Sequence, residues 1–340
     1  MSIILVTGGM GFIGSNFIKL LLELNQGYKI INIDKLTYAG NPENLKNVKK
    51  EHSKYYTFYK VDICDFETMD QIIRKESVEY IVNFAAESHV DRSIDNPKIF
   101  CFTNILGTQS LLNATKKNKI KRFVQISTDE VYGTLNFDEP AFTESTPLSP
   151  NSPYSASKAS ADLLINAYYK TFKLPINITR CSNNYGPYQF PEKLIPLIIN
   201  NASNNKELPI YDKGINIRDW IFVNDHCQAL MKVLFEGEVG EIYNIGGDSE
   251  ISNLDLVKRL LKILEKPESL IKFVKDRPGH DLRYAINHEK ITKELNWRPK
   301  INLNHGLELT VQWYLNNDDW LNNVITKDYL VYYEKLYENR

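Results

Sequence analysis

The apolar run IILVT at Ile3–Thr7 passes without a spacer into GGMGFIGS, and this strand, glycine turn and helix start constrain the fold more than any other feature. A short, wholly apolar run bounded by glycine reads as a strand buried on both faces. Gly8, Gly11 and Gly14 make G-x-x-G-x-x-G, and Gly9, Gly11 and Gly14 make G-x-G-x-x-G. At that place glycines permit a tight turn and let the backbone approach a pyrophosphate at the N-terminus of the following helix. Four more strand-like runs follow: KIINID from Lys29, TFYKVDI from Thr57, YIVNFAA from Tyr80 and RFVQIST from Arg122. Between them, Ser15 to Glu23, Phe66 to Lys75 and Ile99 to Lys117 carry apolar residues at helical spacing. Such alternation implies right-handed crossovers, so the expected class is α/β, a Rossmann-type doubly wound parallel sheet.

The regularity fades in the second half. A helix from Tyr154 to Phe172 and a strand from Ile176 to Ser182 extend the pattern, and then NNYGPYQFPEKLIP interrupts it with Gly and Pro. RDWIFVNDHCQAL and EIYNIGG read as a return to the sheet. SNLDLVKRLLKIL and HGLELTVQWYL read as amphipathic helices, with Ser252 and Asn304 as caps. The expected division is therefore a dinucleotide-binding domain over residues 1–186, to which the chain returns at about 215–250, and a smaller α/β lobe made of 187–214 and 251–330.

Composition narrows the partners. In 340 residues, 41 Lys and Arg nearly balance 42 Asp and Glu, so no net charge draws the chain to nucleic acid or an anionic membrane. The lysine- and aromatic-rich KNVKKEHSKYYTFYK reads as a solvated loop entering a strand. No apolar run reaches the roughly 18 residues of a membrane span, and the four cysteines, Cys64, Cys101, Cys181 and Cys227, are too widely spaced for a disulfide framework or zinc site. A reducing, cytoplasmic setting is expected. His89 and His280 have no ligand-spaced companions and read as structural, so no metal is expected.

The chemistry-bearing residues then fall into two groups. Asp34 ends the second strand, 20 residues beyond Gly14, where a carboxylate can bind ribose hydroxyls and repel a 2′-phosphate, so NAD is the expected cofactor. Asp62 and Ile63, at the end of the third strand, are placed to flank the adenine. Tyr154 and Lys158, four apart in SPYSASKASAD, share a helix face, and an ammonium beside a phenol favours phenolate, a general base for an alcohol losing hydride. Ser127-Thr128 and the adjacent carboxylates Asp129 and Glu130 end the fifth strand, the sheet edge at which α/β enzymes place their chemistry.

Together these motifs resemble the extended short-chain dehydrogenase/reductase superfamily. FAAESHVDRSI, STDEVYG, SPYSASKAS, TRCSNNYGPYQFPEKLIP, RDW and DRPGHDLRY, in that order between Ile3 and about Trp313, resemble more narrowly its dTDP-glucose 4,6-dehydratase family. The resemblance implies that Tyr154 takes the proton of the sugar 4-hydroxyl as hydride leaves C4, while Thr128 hydrogen-bonds the 4-oxygen. Glu130 then takes the C5 proton, and Asp129, protonated, donates to the departing C6 hydroxyl. Acid and base must be different groups, because one releases a proton while the other accepts one. Burial beside Glu130 would keep Asp129 protonated.

The same resemblance places Phe12, Ile13, Lys35, Leu36, Thr37, Ala85, Ala86, Glu87, Ser88, Thr103 and Asn184 near NAD. It places Ser88, Asn183, Lys193, Leu194, Pro209, Ile210, Tyr211, Arg218, Asn253, Asp276, Arg277, Pro278, Gly279 and His280 near dTDP-glucose, with Lys193 and Arg218 as diphosphate partners. Asp212 stands where the family often has Gly. A 4-epimerase, a decarboxylase or a UDP-glucose dehydratase would share the glycine turn and the Tyr-Lys pair; epimerisation needs neither a base at C5 nor an acid at C6, so Asp129-Glu130 is the discriminator. An NAD-binding sensor would be free to lose these groups, and none is lost. Apolar positions on more than one face of the helices at Ile99–Lys117 and Tyr154–Phe172 suit a homodimer built on a four-helix interface.

Overall fold

In the computed structural model, which describes residues 1–24, 26–325 and 327–337, the glycine turn opens a parallel sheet. The strands in chain order are β1 (Ile3–Thr7), β2 (Lys29–Asp34), β3 (Tyr56–Lys60), β4 (Tyr80–Asn83), β5 (Arg122–Thr128), β6 (Ile176–Cys181), β7 (Asn183–Tyr185), β8 (Leu208–Tyr211), β9 (Ile217–Phe222), β10 (Ile242–Ile245), β11 (Glu250–Ser252) and β12 (Ile271–Val274). Seven form one all-parallel sheet in the order β10-β6-β5-β4-β1-β2-β3. The order reverses beside β1, which pairs with β2 on one side and β4 on the other, and this switch point opens a crevice at the C-terminal strand ends.

Strand alternation builds the two apolar layers. Ile4 and Val6 face the helices Phe12–Glu23 and Val223–Glu236, whereas Leu5 between them faces the opposite layer with Met69, Leu111, Phe123 and Ile165. A further cluster lies away from the sheet: Ile198, Leu208, Trp220, Leu256, Leu260, Leu307 and Trp320 pack together from the later segments. At about 1.5–3 kcal/mol per fully buried large apolar side chain, it is a core in its own right.

Two expectations change. The RDWIF strand does not rejoin the large sheet: β9 lies between β7 and β11 in a three-stranded sheet, and only β10 returns, pairing with β6. Strand pattern announces a strand but not its partner, which the chain path after β6 decides. The helix Leu303–Leu315 is capped by Asn302, not Asn304, because the side chain of Asn302 accepts from the His305 N–H one turn ahead. Ser252 caps Asn253–Ile263 as expected, accepting from Asp255.

Two helices carry the site. Pro153–Phe172 starts on a capping box, with the Ser152 hydroxyl accepting from the Ser155 N–H and the Ser155 hydroxyl accepting from that of Ser152. The expected helix at Ile99–Lys117 is part of a continuous run from Pro97 to Asn118 whose segment Cys101–Gly107 is π-helical. No helix of the described residues is long and apolar enough to cross a membrane.

Candidate active site

A cavity of about 300 Å³ follows the C-terminal ends of the strands. Gly8, Gly11, Phe12, Ile13, Gly14, Asp34, Lys35, Thr37, Asp62, Ile63, Ala85, Ala86, Glu87, Ser88, Thr103 and Asn184 line one part of it, and Thr128, Asp129, Glu130, Tyr154 and Lys158 line the other. Leu36 does not line it, although both neighbours do; its backbone N–H instead donates to Asp34 Oδ1 at 2.8 Å.

The first part fits NAD. Gly8 has φ +66°, and a Cβ there would lie 2.7 Å from the Ala85 nitrogen; a Cβ on Gly14 would lie 2.5 Å from the Gly8 carbonyl oxygen. Side chains are thus excluded from the turn, which leaves its backbone bare for a diphosphate. Asp34 accepts the Met10 and Leu36 N–H groups, one on each oxygen, and keeps lone pairs for two ribose hydroxyls. Lys35 is ion-paired to Asp62 at 2.6 Å, which ties the ends of β2 and β3 together.

At the other part, the local structure explains why two consecutive carboxylates share one wall. A continuing strand would send them to opposite faces. Instead the chain turns into a 3₁₀ helix, Asp129–Tyr132, whose cap is the Thr128 hydroxyl accepting from the Glu130 N–H at 3.3 Å. Burial raises the pKa of Asp129 well above the usual carboxylate range, and Glu130 and Asp219 push it further up. Burial raises Glu130 as well, but Arg277, Lys193 and Arg218 pull it back. Asp129 Oδ2 is buried without a hydrogen-bond partner. An oxygen so placed costs least when the group carries a proton.

Tyr154 departs from expectation. Burial holds its phenol well above its ordinary pKa, and Glu130, Cys181 and Asp129 add to that, with only the Thr128 hydroxyl pulling the other way. The Lys158 ammonium donates to the Ile126 carbonyl at 2.7 Å and is itself pushed down by burial. The shared helix face is therefore realised, but in this protein alone the ammonium does not make the phenol acidic, because burial and the neighbouring carboxylates oppose phenolate while the ammonium is hydrogen-bonded to a backbone carbonyl.

Of the expected substrate residues, Ser88, Thr128, Asn183 and Lys193 line the cavity. Lys193 donates to the Ser88 carbonyl at 3.0 Å. Arg218 and Arg277 stand behind the wall, close enough to act on Glu130. Arg218 lies over the Tyr284 ring at 4.2 Å and donates to the Asp281 carbonyl at 2.8 Å, while His280 pairs with Asp276 at 2.6 Å and meets the Tyr211 ring edge-on. Pro278 and Gly279 complete that loop, and Gly279 has φ +63°. Leu194, Pro209, Ile210 and Asn253 do not line the cavity. Ile210 is buried in the second apolar cluster and Leu194 packs against it; Pro209 is buried in β8 and Asn253 opens a helix. Asp212 adopts φ +47°, the left-handed conformation for which glycine is the usual choice and which aspartate tolerates, so the loop keeps its turn.

Several functional neighbours escaped the sequence reading. Asn104, in the π-helical segment, bonds both backbone groups of Glu87 and donates to Ser157, whose hydroxyl reaches the Tyr154 carbonyl at 2.6 Å. Gln189, Phe190 and Glu192 line the cavity from the Pro- and Gly-rich segment, and Tyr284 lies near Glu130. A π-helical register leaves no local mark, so Asn104 had no signal; the tripeptide Pro191-Glu192-Lys193 had one, an acid beside the Lys already singled out.

The family model described as GDP-mannose 4,6 dehydratase matches residues 5–310. The dTDP-glucose 4,6-dehydratase of Shigella flexneri is 48% identical, with 99% of each chain covered. Among solved structures, the dTDP-glucose 4,6-dehydratase of Bacillus anthracis in complex with NAD is similar at a TM-score of 0.89 and 51% identity, over 95% of this chain and 100% of that one. A UDP-glucose 4-epimerase of Thermotoga maritima with UDP-glucose is similar at 0.85 and 30% identity, over 92% and 99% of the respective chains.

Proposed function

The chain belongs to the dTDP-glucose 4,6-dehydratase family, and from that membership we infer that it converts dTDP-glucose to dTDP-4-keto-6-deoxyglucose and water. The observation that carries this reading over epimerisation is the unequal environment of Asp129 and Glu130. Burial favours the proton on both, but Asp129, pressed further by Glu130 and Asp219, is raised well above its ordinary value, whereas Arg277, Lys193 and Arg218 moderate the rise at Glu130. Only a reaction that removes a proton at C5 and protonates a leaving hydroxyl at C6 needs such a pair.

Gly8–Gly14 and Asp34 would hold NAD, which would supply a hydride acceptor for C4 and, once reduced, a hydride donor for C6, so that no net oxidant would be consumed. Tyr154 takes the 4-hydroxyl proton, and Thr128 orients the 4-oxygen. The 4-ketone acidifies C5–H, Glu130 removes that proton, and Asp129 gives its own to the C6 hydroxyl, which leaves as water. Hydride addition at C6 then calls for a proton at C5, which Glu130 returns, and the proton taken by Tyr154 makes good the one Asp129 gave up. Lys158 ties the Tyr154 helix turn to β5 through the Ile126 carbonyl, and the Asn104–Ser157 bonds tie it to the π-helical segment. Lys193, Arg218 and Arg277 supply positive charge for the diphosphate.

The test is mass spectrometry of dTDP-glucose incubated with purified protein and no added NAD, with UDP-glucose in parallel. Loss of one water from the dTDP sugar alone is expected. An intact mass with conversion to the galactose epimer would return the epimerase reading.

Two coarser assignments accompany this one. We assign cofactor binding to 1–186 with the return at β10, and sugar-nucleotide binding to the second apolar cluster and its loops; four unpaired cysteines suit a reducing cytoplasm. We also propose a homodimer. Phe102, Leu106 and Leu163 are 49%, 47% and 60% exposed on the packed helices Pro97–Asn118 and Pro153–Phe172, and exposed apolar side chains grouped in this way suit an association surface. Leu163→Glu is expected to halve the mass seen by light scattering; a monomeric parent would end this reading.

A further inference from the structure

We propose that the C-terminal helix, Lys327–Tyr337, is a positioning element of the active site: Tyr332, with Tyr329, holds two walls of the cavity together and so keeps the dinucleotide in place. This rests on the reading that the chain retains NAD through the cycle.

The two walls come from distant segments. Thr37, Ala39 and Gly40 line the cavity on one side, and Phe190, Glu192 and Lys193 on the other. Arg92 joins them. Its guanidinium carbon lies 3.9 Å from the centre of the Tyr38 ring and 3.8 Å from that of Tyr332, so the cation is sandwiched, and in that plane its Nε and Nη2 each meet Glu192 Oε2 at 3.0 Å. The Phe190 ring meets Tyr38 edge-on at 5.9 Å and Tyr329 at 5.7 Å, and the Tyr329 hydroxyl donates to the Pro191 carbonyl at 3.1 Å.

Tyr329 and Tyr332, three apart, share a helix face, and neither lines the cavity. Their effect must pass through Arg92 and the 190–193 segment. A cation between two rings is held most strongly where water is excluded, and Glu192 is buried, so its charge is supported first by the Arg92 guanidinium that hydrogen-bonds it in this sandwich, with the Lys193 ammonium adding to it. Without the Tyr332 ring, one face of Arg92 opens to water, the ion pair weakens, and the 190–193 wall loses its tie to the 37–40 wall. The Tyr332 hydroxyl is buried without a hydrogen-bond partner, so the ring and not the hydroxyl is the working part.

The full chain and its Tyr332→Leu, Tyr332→Phe and Arg92→Lys variants would be passed through prolonged gel filtration, and NAD measured in acid extracts against protein. The parent and Tyr332→Phe are expected to keep close to one NAD per chain. Tyr332→Leu should keep at least tenfold less, with unchanged circular dichroism and with dehydration restored by added NAD. Arg92→Lys, whose ammonium cannot fill the planar slot, should lose NAD likewise, and it carries the test should Tyr332→Leu not fold. Parent-like NAD content in the folded Leu or Lys variant overturns the role, as does lost activity that added NAD does not restore. A parent chain without any NAD would instead overturn the retained-cofactor reading, and this role with it.

Discussion

Asp129→Asn is expected to slow dehydration of dTDP-glucose by about 10²–10⁴-fold, the usual contribution of a positioned acid or base, while leaving exchange of the C5 hydrogen with solvent intact. Asparagine keeps the shape but has no acidic proton to give, so the C6 hydroxyl cannot depart as water. Oxidation at C4 and proton removal at C5 still proceed through Tyr154 and Glu130, and deuterium from heavy water should enter C5 of recovered sugar. Glu130→Gln should show the converse, with both dehydration and C5 exchange lost. Parent-like dehydration by Asp129→Asn, or absent C5 exchange in it, would reverse or remove the two assignments. The pH sign follows from the environments. The Asp129 pKa is raised by burial, Glu130 and Asp219, so the acid keeps its proton to higher pH than an ordinary carboxyl and the rate falls as pH climbs through that raised value. Because the two carboxyls are neighbours, both limbs of the profile belong to the pair, and Asp129→Asn should abolish the alkaline one.

The second large effect is at Tyr154. Tyr154→Phe removes one oxygen and keeps the ring, whose edge-on contact with Phe100 at 6.3 Å remains, so the fold should stand. Without the phenol no group accepts the 4-hydroxyl proton, and the first oxidation should fall by about 10²–10⁴-fold. Single-turnover absorbance at the nicotinamide band reads this directly: Asp129→Asn should still reduce NAD on mixing with sugar, whereas Tyr154→Phe should not. Reduction at the parent rate in Tyr154→Phe would show that another group takes the proton. The raised pKa of the free protein's phenol makes this a demanding role, because buried carboxyls oppose phenolate. A bound nicotinamide cation is the charge that would favour it, beyond what Lys158 offers while its ammonium is given to Ile126.

Much of the site was legible because it is local. A glycine turn has to sit where a Cβ would collide, as Gly8 and Gly14 do. A cap lies within one turn of the N–H it serves, and Tyr154 and Lys158 share a face at four-residue spacing whatever surrounds them. Even here, locality had limits. Asn304 in INLNHG was the expected cap, and the chain instead starts the helix two residues earlier on Asn302. RDWIF was evidently a strand, yet its neighbours are β7 and β11, since pairing partners are remote in sequence.

The amino-acid sequence by itself determined the Rossmann-type class, the glycine turn and the placing of two adjacent carboxylates at the end of the fifth strand, since periodicity, turn sterics and residue chemistry act over a few positions; the acid and base roles of that pair came from the family resemblance. Only the tertiary structure decided what those groups are worth. Lys193, Arg218 and Arg277 come from three separate segments to moderate the effect of burial on Glu130, while at Asp129 Glu130 and Asp219 outweigh Arg218 and Oδ2 has no hydrogen bond. The Tyr332 ring reaches Arg92 from the far end of the chain. Charge and desolvation act through space over several ångströms, and no spacing along a chain encodes which distant residues will share that space.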